Sequence, residues 1–258
     1  MAVPIGLTNE TALEQCLFCS NLVNSAEHIW SDWILEDLKL VTQIRIKIGK
    51  NPPAFTDDPE LKVKCVCETC NSQWMSNLET ANQPIIHAMI NDDPCWLSKK
   101  DQTKLTRWAM LKAMVIEAAN RERKPFYDDQ ERQQIKTGSG IPIGTMVWLG
   151  RFSTKSYHAG GTDIWRPVDE IPKAIHACVT TVIIGHLVLQ ILTAHTRQQF
   201  ATRRENLYCK DGPWKVNLLE IWPLKEPLRW PPALSFAERG TDSIATIINR
   251  WKLGENIG

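Results

Sequence analysis

Apolar and polar positions alternate from Val41 to Ile48, where Ile44, Ile46 and Ile48 are set against Arg45 and Lys47. That two-residue period predicts a strand. Asn51-Pro52-Pro53 breaks the run, and Leu61 to Cys67 resumes as a second predicted strand. Helical spacing flanks the pair. Trp30, Trp33, Ile34 and Leu38 mark a short amphipathic helix over Trp30–Leu38, and Trp74, Met75 and Leu78 mark another over Asn71–Glu79. Residues 1–15 read as a loose lead-in.

Asn91-Asp92-Asp93-Pro94 is a run of turn formers and predicts a boundary between a module at 1–94 and a domain at 95–258. Beyond it, Asp101–Arg123 carries the longest helical pattern, with Trp108, Leu111, Val115 and Ala119 on one face that Lys112 interrupts. A shorter helix is expected over Asp128–Lys136. Strand-like runs follow at Thr145–Phe152, Ala177–Gly185, Leu187–Leu192 and Trp214–Trp222, and a helix at Thr241–Trp251 closes the series. Helices, then consecutive strands, then a helix predict an α+β domain with a mainly antiparallel sheet. Ala174–His195 lacks Asp, Glu, Lys and Arg and approaches the length of a membrane span. Its Val, Thr and Ile content, with Gly185, His186 and Gln190 near the centre, instead predicts two buried strands meeting near Gly185.

Charge divides along the same line. Residues 1–95 hold six Lys/Arg against thirteen Asp/Glu, and residues 96–258 hold 24 against 16, for a net charge of +1 over 258 residues. An acidic front and a basic back suggest that one part carries a site and the other a grip on an anionic partner. The opening Met-Ala-Val-Pro-Ile-Gly has neither a basic stretch nor a long apolar core, so no signal peptide is expected.

Cysteine usage is the most specific signal. Cys16-Leu-Phe-Cys19 and Cys67-Glu-Thr-Cys70 are two C-x-x-C pairs separated by 47 residues. Each presents two thiolates, and four thiolates suit one tetrahedral structural zinc. Cys65 lies two residues before Cys67, so either could be the third ligand. Paired motifs of this kind in a chain this long point to metal binding in a reducing, cytoplasmic setting more than to a disulfide framework. Cys178 sits in an apolar run and reads as buried packing, and Cys95 and Cys209 have no such partners.

Glu27-His28 follows the first pair and Asn71 follows the second directly. One zinc gathering both pairs brings these three residues near a common point. A carboxylate and an amide oxygen suit Mg²⁺, and an imidazole beside them can take a proton from an attacking water. Glu79, two turns past Asn71, lies about 12 Å further along a helix axis and is set aside as a ligand.

Knuckle, Glu27-His28-Ile29-Trp30, knuckle and then Cys70-Asn71-Ser72-Gln73-Trp74-Met75 resembles the HNH, or ββα-metal, endonucleases of the subtype built on a tetra-cysteine zinc. The resemblance covers roughly residues 14–80. It implies a zinc-stapled ββα-metal module with Glu27 and Asn71 holding Mg²⁺ or Mn²⁺, His28 as general base, and products ending in 5′-phosphate. Many members carry a further His about one turn into the helix. Here Met75 stands four residues after Asn71, which removes a third protein ligand and favours a hard metal.

Neither the H-x-E of zinc deaminases, a Walker loop nor a G-x-G-x-x-G is present. His87, His158, His176, His186 and His195 are scattered and read as structural or surface residues. The expected partner is nucleic acid, most of all DNA, held by Lys99, Lys100, Lys104 and Arg107, then Arg121, Arg123 and Lys124, then Arg197, Arg203 and Arg204. A second copy of the chain or a regulatory protein is kept open as a further partner, and no membrane partner is expected. The expected function is metal-dependent DNA cleavage. The alternative is a non-catalytic zinc module that binds nucleic acid or protein.

Overall fold

Two strands far apart in sequence, β1 (Ser25–His28) and β4 (Lys62–Val66), pair antiparallel and lead directly into a long helical run. The computed structural model that shows this describes residues 14–38, 44–48, 54–56, 62–119, 125–168, 171–195, 218–233 and 235. Helix α1 (Asp32–Leu38) follows β1, and strands β2 (Ile44–Ile48) and β3 (Ala54–Thr56) precede β4. The helical run starts as α2 (Glu68–Cys70), widens into a π turn over Asn71–Met75, and continues as α3 (Ser76–Ile90). In the π turn the amide of Ser76 reaches back to the carbonyl of Asn71, five residues away.

A turn at 91–92 follows α3, and Asp92 there takes a left-handed φ of 65° that an aspartate tolerates. Its carboxylate receives the Nε of Arg151 at 2.8 and 3.0 Å. Strand β5 (Cys95–Leu97) then leads into α4 (Lys99–Ala118), whose first turn is closed by a reciprocal cap between Ser98 and Asp101. Asp128 and Glu131 make the same device for α5 (Asp129–Thr137), and Gly138 at φ 71° ends it.

Strands β6 (Thr145–Val168) and β7 (Ile171–His195) form a long antiparallel hairpin. Strand β8 (Leu218–Trp222) pairs antiparallel with the first part of β6, and β2 pairs parallel with a later part. The resulting five-stranded sheet is mainly antiparallel, and β9 (Leu228–Trp230) pairs with β5 in a separate ribbon. The fold class is α+β. Phe18, Trp30 and Val63 from the front, Trp108 and Leu111 from α4, and Val147, Ile184 and Trp230 from behind belong to one buried apolar cluster.

Several expectations change in extent. The helix expected over 71–79 begins at Glu68 and runs to Ile90. The two strands expected around Gly185 are one strand, because Gly185 takes a φ of 58° and lets β7 bend where its register with β6 shifts. The expected helix at 241–251 and the first part of the strand at 214–222 lie outside the described residues. Among the described residues, no helix is long and apolar enough to cross a membrane, and Ala174–His195 lies within β7.

Candidate metal centre and the groups beside it

The first cysteine pair is shaped by a tight turn. Cys16 N donates to Asn21 O at 2.8 Å, Cys19 N to Cys16 O at 3.3 Å, and a bridge between Gln15 and Leu22 closes the loop. Leu17 N reaches Cys65 O on β4 at 2.8 Å, which fastens this turn to the second pair. There, Cys67 caps α2, its sulfur accepting from Cys70 N at 3.5 Å. The Sγ atoms of Cys16, Cys19, Cys67 and Cys70 all lie within 4.8 Å of one another. Cys19 is 3.6 Å from Cys67 and from Cys70. A zinc tetrahedron with Zn–S bonds of about 2.3 Å needs sulfurs roughly 3.8 Å apart, so the cluster fits a structural zinc. Cys67, not Cys65, is the third member.

The thiols differ in acidity. Burial pushes Cys67 up, but the Cys70 amide, Cys19 and Asn21 outweigh it and bring the group down to about 6. Burial pushes Cys70 up to about 12, and Cys16 and its other thiol neighbours push the same way. The Cys67 thiolate forms readily, and Cys16 and Cys70, both raised chiefly by burial, resist ionisation until a cation offsets the crowded charge.

All three of the other sequence-predicted residues gather at β1. Asn71 Nδ2 donates to Ser25 Oγ at 2.9 Å and to Ala26 O at 3.2 Å, which leaves the amide oxygen for another partner. Glu27 and His28 come next on the strand. The Glu27 residue is 7% exposed, whereas the His28 side chain is 22% exposed, with Nε2 at 3.3 Å from Asp32 Oδ1. Met75 is buried in the core and contributes no ligand atom there.

Sequence reasoning missed the strongest partner of this group. Lys112 Nζ, on α4, donates to Glu27 Oε1 at 2.8 Å and to His28 O at 3.0 Å, and lies 3.5 Å from Glu79 Oε2. Glu79 in turn receives Trp108 Nε1 at 2.9 Å and the hydroxyl of Ser31. Burial alone would lower the lysine pKa, but Glu27 and Glu79 outweigh it and raise it, so the ammonium stays charged. The signal was present as the lysine interrupting an apolar helix face. Glu79, set aside as too far from Asn71, enters through Lys112, because β1 and Ser31 run alongside the helix from Asn71 to Glu79.

Glu27 Oε1 is held by Lys112 on α4 and Asn71 Nδ2 by Ser25 on β1. Among the described residues, the four cysteines are the one set of three or more Cys, His, Asp or Glu donors close enough to hold a metal.

Three of the basic residues expected to grip nucleic acid, Lys99, Lys104 and Arg107 on α4, are engaged within the fold. Lys99 pairs with Glu226 at 2.8 Å and Lys104 with Asp101 at 2.9 Å. Arg107 donates to Ile135 O at 2.6 Å and to Lys136 O, and its guanidinium stands 5.6 Å from the Trp74 ring centre. Lys100 is exposed on the first turn of α4. Arg121, Arg123, Lys124, Arg197, Arg203 and Arg204 lie outside the described residues. Comparison with family models, curated proteins and solved structures finds no match for this chain.

Proposed function

We propose that this chain is a metal-dependent endonuclease of the HNH type, acting on DNA in the cytoplasm. The observation that carries the reading is the hydrogen bonding of Asn71 to β1 immediately before Glu27-His28, beside a four-cysteine cluster. It joins the two halves of the sequence motif on a strand–strand–helix unit.

His28 is the general base. Its imidazole, partly exposed and with Nε2 3.3 Å from Asp32 Oδ1, takes a proton from water attacking a phosphodiester. Glu27 and Asn71 each present one oxygen to Mg²⁺ or Mn²⁺, which when bound supplies charge stabilisation for the phosphate and the leaving 3′ oxygen. The zinc cluster fixes the distance between the motif halves. Basic residues of the second half, Arg121, Arg123, Lys124, Arg203 and Arg204 among them, hold the phosphate backbone against the acidic front.

The second reading is a non-catalytic zinc module that binds nucleic acid or protein. It is favoured by the ion pair that already occupies Glu27 Oε1. Supercoiled plasmid incubated with the protein in Mg²⁺, Mn²⁺ or EDTA separates the two. Metal-dependent nicking that disappears in a zinc-loaded His28→Ala variant supports the nuclease. Absence of nicking by the wild type leaves the binding module.

A further inference from the structure

We infer that Lys112 is a positioning residue of the candidate site, its one buried ammonium gripping the Glu27 carboxylate and the His28 carbonyl together. The inference rests on the nuclease reading of Glu27 and His28. Lysine has three N–H donors, and three acceptors surround this one: Glu27 Oε1 at 2.8 Å, His28 O at 3.0 Å and Glu79 Oε2 at 3.5 Å. Lys112 is 1% exposed. Behind it, Trp108 and Ser31 fix Glu79, so the hold on the motif is anchored in α4 and the core.

Strand pairing alone holds the motif weakly. His28 forms the last pair of β1, opposite Lys62, and β1 has only four residues. Lys112 ties down the main chain of the residue whose side chain must reach a water, and the side chain of the residue before it. Stability gives no reason to place a charge there, since apolar replacement of a buried ion pair is often neutral or favourable. A grip on two consecutive motif residues does.

The test compares the zinc-loaded full chain with Lys112→Met and with Lys112→Met/Glu79→Gln. The double variant restores the trio's net charge of −1, so it stands in if two unpaired buried carboxylates prevent the single variant from folding. Each is measured for zinc content, for cleavage of a fluorescent DNA duplex at saturating Mg²⁺, and for amide hydrogen exchange. The expected result is retained zinc, kcat lower by about 100-fold with KM for DNA within about twofold, and faster exchange confined to residues 25–29. A folded, zinc-loaded variant that keeps its kcat, or whose loss lies wholly in KM, overturns the inference. A wild type that cuts nothing removes the nuclease reading on its own. The grip is then read from exchange alone: acceleration at 25–29 upholds it and an unchanged rate overturns it.

Discussion

The sulfurs of Cys19 and Cys67 stand 3.6 Å apart although 48 positions separate them in the chain. Such proximity of thiols, with Cys16 and Cys70 completing the group, predicts one zinc per chain in the purified protein. Metal analysis should find it, and Cys67→Ser should remove it. Because Cys16, Cys67 and Cys70 also belong to the main apolar cluster, that variant should lose more than about 4 kcal/mol of unfolding free energy, the range reached when a structural metal is lost. Full zinc occupancy in Cys67→Ser would falsify the assignment.

The sequence marks Arg107 as a grip on nucleic acid, yet its guanidinium is spent on the carbonyls of Ile135 and Lys136 at the end of α5. Arg107→Ala is therefore expected to cost about 1.5–3 kcal/mol in denaturant unfolding, the range for hydrogen bonds from a charged donor. The salt dependence of DNA binding should not change. Replacing Arg203 and Arg204 should do the reverse. Binding should weaken and its salt slope flatten by about one for each phosphate left without its arginine, with stability unaltered.

His195 Nε2 lies 2.8 Å from Glu131 Oε1, and this hydrogen bond raises the imidazole pKa above its ordinary 6.5 despite partial burial. Asp128 and Glu117 push the same way. A raised folded pKa gives stability that is fully present below the unfolded value of about 6.5 and is lost as pH climbs through the folded value. The melting point of wild type minus that of Glu131→Gln should thus be largest near pH 5.5 and shrink by pH 8.5. A constant difference across that interval contradicts the assignment.

Gly185 is a place where a methyl group has no room. A Cβ there would meet the Ile90 carbonyl oxygen at 2.5 Å, and the φ of 58° is one that side chains resist. Gly185→Ala should destabilise the protein by about 1–3 kcal/mol in denaturant titration, with zinc content unchanged. Because Ile90 ends α3, the strain falls where that helix packs on β7.

The four-cysteine cluster was legible because C-x-x-C spacing is a local rule, and a local rule survives whatever the rest of the chain does. Helix α4 was legible through the apolar face of Trp108, Leu111 and Val115. Strand β1 was not: four residues, Ser-Ala-Glu-His, carry no alternation, and only pairing with β4 makes them a strand. Lys112 was visible as an anomaly on an apolar face, but its partners Glu27 and Glu79 come from β1 and α3, 85 and 33 positions away, and nothing in the sequence pairs them. Which of Cys65 and Cys67 joins the cluster was likewise a matter of geometry, settled only where β4 gives way to α2 and Cys67 becomes the cap of that helix.

An α-helix returns to the same face after about seven residues, since two turns take roughly 7.2. Asn71 and Glu79 are eight apart, yet one is bonded to β1 and the other reaches Lys112, both on the side that β1 and Ser31 line. The π turn over Asn71–Met75 takes up the surplus residue. The arrangement is therefore a counting device: a related chain shorter by one residue between these positions keeps both partners with an ordinary helix, and a chain longer by one more turns Glu79 away from the lysine.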